Sequence, residues 1–208
     1  MKIVCFVFGS IGTNCYIVYN EKTKNAFCVD IADNASSAYF DFIDNEHINV
    51  KYMLLTHAHH DHVLSAKEFK AKYPQTKFVI SKTDYENILN GKMHGVNSEN
   101  FVEPDKLVDD NSLIKFEDKA IKVLATPGHT SGSVCYLFGD NLFCGDTVFK
   151  GSIGRTDLPT GSTSDIFKSI NKIKQFNSLN LFPGHMEVTD LASEKKYNPY
   201  FNYEFNTK

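Results

Sequence analysis

Short apolar runs alternate with amphipathic segments along most of the chain, a pattern that predicts strands interleaved with helices. The first half predicts strands over Lys2–Phe8, Cys15–Tyr19, Ala26–Ile31, Val50–Leu55 and Phe78–Ile80, and helices over Ala35–Asn45, His62–Lys72 and Lys82–Leu89. The second half predicts strands over Leu113–Phe116, Ala120–Ala125, Ser133–Phe138, Asn141–Cys144 and Leu179–Phe182, and helices over Ser164–Phe176 and Leu191–Lys196. Two groups of strands with helices between them favour an α/β (α+β) class with stacked sheets and helices outside them.

No repeat, low-complexity tract or change of composition divides the 208 residues, so a single domain over residues 1–208 is expected. Between the predicted elements, Ser10–Asn14 is typical of a turn and Asn90–Asp105 of a long loop. Asp33 and Asn34 are candidates for the N-cap of the first helix.

Composition and charge exclude some classes of protein. The 22 Lys and Arg against 25 Asp and Glu give a net charge of −3, which argues against nucleic-acid binding. No segment approaches the roughly 20 apolar residues of a membrane helix, and Met1–Gly9 is too short for a secretory signal. Five scattered cysteines without a C-x-x-C motif are typical of reduced core thiols. Together these features predict a cytoplasmic protein.

The segment from Thr56 to His62 carries the strongest chemical signal, because it places four metal-ligand candidates within six residues. His57 and His59 are two residues apart and leave the same face of an extended backbone. Asp61 and His62 follow where the chain is expected to turn into a helix. Imidazole and carboxylate suit zinc, iron or manganese, so this segment predicts part of a metal site.

Three further candidates each follow the end of an apolar strand: His129, Asp146 and His185. Each lies beside Gly or Pro, and loops in such positions tend to converge on one rim of a sheet. Of the other histidines, His47 and His60 are expected to be exposed, and His94 is a weaker candidate for contact with a substrate.

These motifs, in this order, resemble those of the metallo-β-lactamase superfamily. The matching residues are Thr56–His62, Thr126–Thr130, Gly145–Asp146 and Gly184–His185. The resemblance implies a four-layer αββα sandwich with the metal site at one sheet edge. It also implies two divalent metal ions, the first held by His57, His59 and His129. Asp61, His62 and His185 would hold the second ion, and Asp146 would bridge the two.

A finer resemblance is to short members of the glyoxalase II (hydroxyacylglutathione hydrolase) group. It is carried by Gly145–Asp157, Glu194 and Asn198–Tyr200. Full-length members continue into a helical domain that supplies cations for glutathione, and this chain ends before such a domain. Arg155-Thr156-Asp157 stands where those enzymes have Lys-Phe-Tyr, and Met186 replaces a small residue after Gly184-His185.

The resemblance implies hydrolysis of a thioester such as S-lactoylglutathione, by attack of a metal-bridging hydroxide on the carbonyl carbon. Asp61 is the candidate catalytic residue, since besides ligating it could orient the nucleophile and take its proton. Arg155 and Lys150 are the candidates for binding a substrate carboxylate. An alternative for Arg155 is an ion pair with Asp157 that fixes the loop.

Other functions stay open at this point. A persulfide dioxygenase of the same fold would hold one iron through His57, His129 and Asp146. A hydrolase of another ester or lactone, or a metal-bound interaction protein without turnover, would use the same ligands. A flavin-linked di-iron role is disfavoured, because such domains carry Glu where this chain has His59. Zinc is the first expectation, with iron and manganese as alternatives, and a homodimer is an open option.

Overall fold

The computed structural model describes residues 1–32, 37–93 and 95–203. It divides into two compact units, Met1–Val108 and Asp109–Lys208. The single domain over residues 1–208 stays a prediction. The N-cap candidates Asp33 and Asn34, and His94, lie outside the described residues.

Unit 1 (Met1–Val108) contains a six-stranded sheet in which the strands follow one another in chain order. β2 pairs antiparallel with both β1 and β3, whereas β3, β4, β5 and β6 pair parallel with one another in that order. Because parallel strands end at the same sheet edge, β3 and β4 present the residues that follow them side by side. The elements are β1 (Lys2–Phe8), β2 (Thr13–Tyr19), β3 (Asn25–Val29), α1 (Ser37–Asn45), β4 (Asn49–Leu54), α2 (His60–Val63), α3 (Ala66–Lys72), β5 (Lys77–Ser81), α4 (Lys82–Leu89) and β6 (Lys106–Val108).

The core of unit 1 is rich in aromatic side chains from the helices and from β1. Tyr39 of α1 and Phe69 of α3 are fully buried, and their ring centroids lie 6.3 Å apart. Phe6 of β1 packs edge-on against Tyr39 at 5.2 Å. Every residue of β2 is buried, which agrees with the apolar run Cys15–Tyr19 in its sequence.

The single helix predicted over His62–Lys72 is wrong, because two shorter helices, α2 and α3, occupy this region. The carbonyl of His62 accepts a hydrogen bond from the Ile31 amide at 2.9 Å. In a continuous helix this carbonyl would accept a hydrogen bond from the amide one turn later. Because it accepts from Ile31, just after β3, a break in the helix is favoured here. The break leaves α2 as a single turn that carries Asp61 and His62.

Unit 2 (Asp109–Lys208) contains a second six-stranded sheet, with the order β14-β13-β10-β9-β8-β7. β10 and β13 are parallel, so the loops that follow them, at Asp146 and His185, leave the same sheet edge. The elements are β7 (Leu113–Phe116), β8 (Lys119–Ala125), β9 (Val134–Phe138), β10 (Asn141–Gly145), the hairpin β11 (Val148–Phe149) and β12 (Ser152–Ile153), α5 (Thr163–Lys174), β13 (Asn180–Pro183), β14 (Thr189–Asp190), α6 (Leu191–Tyr197) and a 3₁₀ helix (Pro199–Phe201).

The core of unit 2 forms where α5 packs on the sheet. Ile166, Ile170 and Ile173 recur at helical spacing and are buried with Leu142 and Leu181. Ser162 caps α5 by accepting a hydrogen bond from the Asp165 amide. Five elements of two or three residues were not predicted from the sequence: β6, β11, β12, β14 and the 3₁₀ helix.

The cysteines carry no disulfide among the described residues. Cys15, Cys28, Cys135 and Cys144 are buried as expected, and burial raises the pKa of Cys28 to about 12 and that of Cys135 to about 11. The prediction of a core thiol is wrong for Cys5, which is exposed. Cys5 alternates with Val4 and Phe6, which pack on the core, and so it lies on the opposite face of β1.

Candidate metal centre

The loop after β4 brings the four candidates of unit 1 together. The ring of His57 lies 4.9 Å from that of His59 and 4.1 Å from that of His62, measured between centroids. His62 Nε2 is 3.2 Å from Asp61 Oδ2. All three imidazoles are buried, whereas the Asp61 side chain is 14% exposed. The four candidates that lie close together in the sequence thus also form one cluster of side chains in the structure.

One buried carboxylate, that of Asp30, orients two of these histidines. Asp30 Oδ2 accepts hydrogen bonds from His62 Nδ1 and from the Thr56 hydroxyl, each at 2.8 Å. Since the Thr56 hydroxyl gives its only proton to Asp30, its oxygen accepts from His57 Nδ1 at 3.0 Å. Both imidazoles therefore carry their proton on Nδ1, and both offer Nε2 as the ligand atom.

Two further contacts position the loop and the aspartate. The buried carboxylate of Asp84 accepts a hydrogen bond from the Ala58 amide at 2.9 Å, which holds the backbone between His57 and His59. The hydroxyl of Thr13, at the start of β2, donates to Asp61 Oδ2 at 3.0 Å. Asp61 is thereby tied to the turn end of the β1–β2 hairpin.

In unit 2, three separate loops bring His129, Asp146 and His185 together. His129 Nε2 lies 3.3 Å and His185 Nε2 lies 3.5 Å from the same oxygen, Asp146 Oδ2. His129 Nδ1 donates to the backbone carbonyl of Arg155 at 2.8 Å, because a carbonyl can only accept. The ring of Phe149 packs edge-on against His185 at 5.8 Å.

Backbone contacts fix the positions of these loops. The Gly184 amide donates to the Gly145 carbonyl at 2.8 Å, which joins the loops of His185 and Asp146. Gly154 lies so close to Asp146 that an added Cβ would stand 1.8 Å from the Asp146 carbonyl oxygen. This approach is open only to glycine, and it brings the Arg155 carbonyl to His129.

The protonation states of the candidate histidines indicate whether these side chains are suited to bind a metal ion. With its proton on Nδ1, a neutral imidazole presents a lone pair at Nε2. At His62 and His129 that lone pair faces a carboxylate oxygen at 3.2 and 3.3 Å. Two electron-rich atoms at this distance are stabilised by a positive charge, either a proton or a cation. Imidazole and carboxylate ligands, with the second ring nitrogen anchored, are typical of divalent transition metals, so the candidate ligands of each unit fit such an ion.

The two residues predicted to bind substrate, Arg155 and Lys150, are both engaged in exposed ion pairs. Arg155 makes a two-point contact with Asp157, through Nε and Nη2 at 2.7 Å each. This guanidinium lowers the pKa of Asp157 to about 2. Lys150 pairs with Glu187, which raises the pKa of Lys150.

Of the other residues singled out, His47 and His60 are exposed, which confirms their predicted placement. Glu194 is buried and accepts hydrogen bonds from the Gly151 amide, the Thr189 hydroxyl and the Asn198 side chain. These contacts tie α6 to the β11–β12 hairpin, so Glu194 supports the fold of unit 2.

Asp30, Thr56 and Asp84 were not singled out from the sequence. Asp30 offered one signal, since it is a carboxylate inside the otherwise apolar run Ala26–Ile31 and follows a strand end, as the metal-ligand candidates do. Its backbone has φ = 58°, a left-handed conformation that aspartate tolerates better than most residues. Asp84 offered none, because an acidic residue in the first turn of a helix is ordinary.

Comparison with known proteins places this chain in a family. Residues 11–185 match the family described as the metallo-β-lactamase superfamily, and the chain belongs to it. The predicted fold class is confirmed as the metallo-β-lactamase fold, with mixed helices and strands and two sheets. Among the described residues, no helix has the length and apolar character needed to cross a membrane.

The chain is also similar to individual relatives and solved structures. The chain is 28% identical to "Hydroxyacylglutathione hydrolase GloC" of Haemophilus influenzae, over 91% of this chain and 92% of the relative. The crystal structure of BLEG-1 B3 metallo-β-lactamase is similar with a TM-score of 0.84 and 27% identity, covering 97% of this chain and all of that one. The crystal structure of ETHE1 from Myxococcus xanthus has a TM-score of 0.81 at 24% identity, covering 98% and 86%, and shows the shared fold.

Proposed function

We propose that this protein is a metal-dependent hydrolase that holds two divalent ions and cleaves a thioester. His57, His59 and His129 would hold the first ion, and Asp61, His62 and His185 the second, with Asp146 shared between them. The observation that carries the proposal is the fixed tautomer of His57, His62 and His129, each with Nδ1 anchored and Nε2 available as a ligand. The family match supports it, since it spans both ligand sets.

The residues of the chain have separate roles in this reaction. When bound, such ions lower the pKa of water and polarise a carbonyl, which is the chemistry that hydrolysis needs. Asp61 would orient the attacking water and accept its proton, a role supported by its partial exposure and by the hydrogen bond from Thr13. The anchors Asp30 and Asp84 keep the histidines in place as charge develops on the substrate.

A thioester is favoured because of its leaving group. A thiolate leaves without a proton, since the pKa of a thiol is near 8.5, whereas the nitrogen of a lactam has to be protonated. The relatives named hydroxyacylglutathione hydrolase support S-lactoylglutathione or a related acyl-thiol as the substrate. We assign Arg155 and Lys150 to the substrate carboxylates, which would displace Asp157 and Glu187 from exposed and therefore weak ion pairs.

A second candidate is a dioxygenase that acts on a persulfide and holds a single iron. His129 and Asp146, which the structure brings together, would form with His57 a set of two histidines and one carboxylate. This set suits non-haem iron and leaves positions for oxygen.

We also propose a cytoplasmic location, which the absence of disulfides among the described cysteines supports.

Metal analysis combined with three assays tests the proposal. We expect two metals per chain, hydrolysis of S-lactoylglutathione, little hydrolysis of a chromogenic cephalosporin and no oxygen uptake with glutathione persulfide. Neighbouring histidines supply a matched pair of variants: His59→Ala should lose metal and activity, whereas His60→Ala, at an exposed position, should keep both. One iron per chain with oxygen uptake and no hydrolysis would overturn the proposal in favour of the dioxygenase.

A further inference from the structure

The loop that carries His185 contains a strained residue directly after it. Residues 184–188 connect β13 to β14, which pair as Leu181 with Thr189 and Asn180 with Asp190. Within this connection Met186 has φ = 67°, in the left-handed region. Glycine or asparagine adopts this conformation at little cost, whereas a long side chain such as Met does so at the expense of stability.

The side chain kept in this strained position is large, apolar and exposed. Met186 is 60% exposed, and Val188 in the same loop is 46% exposed. The ring of Phe149 packs edge-on against the imidazole of His185. An apolar ring thus contacts His185 and an exposed apolar side chain follows it in the chain, and burial of Met186 in the core does not explain why the strain is kept.

An ion pair lies beside these groups. Lys150 follows Phe149 and pairs with Glu187, which follows Met186. Lys150 is also one of the residues assigned to the substrate carboxylates, so the apolar surface at Met186 suits an uncharged part of the same ligand.

We propose that Met186 is a specificity-determining residue that contacts an apolar part of the substrate beside His185. The inference rests on the proposed function and narrows its substrate class to thioesters with an alkyl or aryl group near the scissile bond. The flexible thioether of Met adapts to such groups better than a branched side chain does.

Binding of two non-hydrolysable thioethers tests the inference without turnover. Titration calorimetry on the metal-loaded protein would compare S-methylglutathione with S-hexylglutathione. We expect the hexyl compound to bind about tenfold more tightly to the wild type, falling to about twofold in Met186→Asn. Met186→Leu, which keeps an apolar group, should retain the preference.

Thermal unfolding separates this role from a structural one. Because asparagine tolerates the left-handed conformation, Met186→Asn should unfold at the same temperature as the wild type or a higher one. The matched control is Leu113→Asn, which removes a 60% exposed apolar side chain from β7, at the opposite edge of the same sheet. This control should leave the hexyl preference unchanged.

Three outcomes overturn the inference: no hexyl preference in the wild type, an unchanged preference in Met186→Asn, or a loss of stability that accounts for weaker binding. Failure of the proposed function would be recognised by a different result, the absence of thioester hydrolysis by the wild type. If hydrolysis occurs, Met186→Asn should raise KM for an S-acylglutathione with a long acyl chain and leave KM for S-lactoylglutathione nearly unchanged.

Discussion

The four candidate ligands of unit 1 lie within six residues, and two of them, His57 and His62, take their orientation from a buried carboxylate. The three candidate ligands of unit 2 come from three loops that backbone groups hold in place. In unit 1, Asp30 and Asp84 receive hydrogen bonds from the ligand loop. In unit 2, the Arg155 carbonyl anchors His129, and Gly154 permits the close approach. A dense motif depends on a few charged anchors, while a dispersed set depends on how closely its loops pack.

Substitution of Asp30 should have the largest effect on this comparison. Asp30→Ala removes the acceptor for His62 and Thr56 and leaves their donors buried, so we expect a loss of about 3–5 kcal/mol in the free energy of unfolding. Denaturant titration of the metal-free protein measures this loss. Asp44→Ala, at an exposed ion pair, should cost less than about 1 kcal/mol. Equal stability of the two variants would contradict the role given to Asp30.

The corresponding test in unit 2 is the addition of a single methyl group at Gly154. Gly154→Ala places Cβ against the Asp146 carbonyl, and we expect a loss of about 3 kcal/mol together with loss of metal. Gly139→Ala is the control, since Gly139 has φ = 60° but no atom within 4 Å of an added Cβ, and it should cost about 1 kcal/mol. A loss for Gly154→Ala as small as that for Gly139→Ala would contradict the close approach at Gly154.

The hydroxyl of Thr56 gives a smaller and more selective effect. Thr56→Val keeps the shape but removes the link between Asp30 and His57, so metal affinity should fall about tenfold. Thr76→Val is matched to it, because the Thr76 hydroxyl is also buried and donates to the Val50 carbonyl. Both variants should lose about 1 kcal/mol of stability. A loss of metal affinity from Thr76→Val as well would refute the specific role of Thr56.

The smallest expected effect concerns the ion pair of Arg155. Removal of the guanidinium in Arg155→Met should raise the pKa of Asp157 from about 2 towards its ordinary value of 3.8, as measured by NMR titration of the carboxyl carbon. Because the folded-state pKa is lowered, the ion pair stabilises the fold above pH 3.8, and this contribution disappears as the pH falls through about 2. His129 should keep its place, since it binds the backbone carbonyl of residue 155. A displaced His129 resonance would contradict this separation.

The sequence predicted the parts of the fold that local periodicity determines. The bounds of Lys2–Phe8, Lys82–Leu89 and Leu113–Phe116 agree with the structure, because apolar spacing and turn residues mark them. The break between α2 and α3 could not be predicted, since it depends on a hydrogen bond between His62 and Ile31. The two-residue strands β11, β12 and β14 are too short to carry a periodic signal.

The candidate ligands could be predicted from the sequence, because each is a metal-ligand residue type close to a strand end. The residues that anchor them were harder to predict. Asp30 and Thr56 are separated by 26 positions and meet only because β3 and β4 are parallel neighbours. The role of the Arg155 carbonyl could not be predicted from residue type, because every residue has a carbonyl.

The shared carboxylate of Asp30 also has a consequence for how the protein matures. His62 and His57 acquire their orientation from a residue that lies across a parallel strand pair, and such pairs form late in a folding chain because their closure spans many residues. The orientation of these imidazoles therefore depends on the pairing of β3 with β4. An ion that requires this orientation is expected to bind after the two strands have paired.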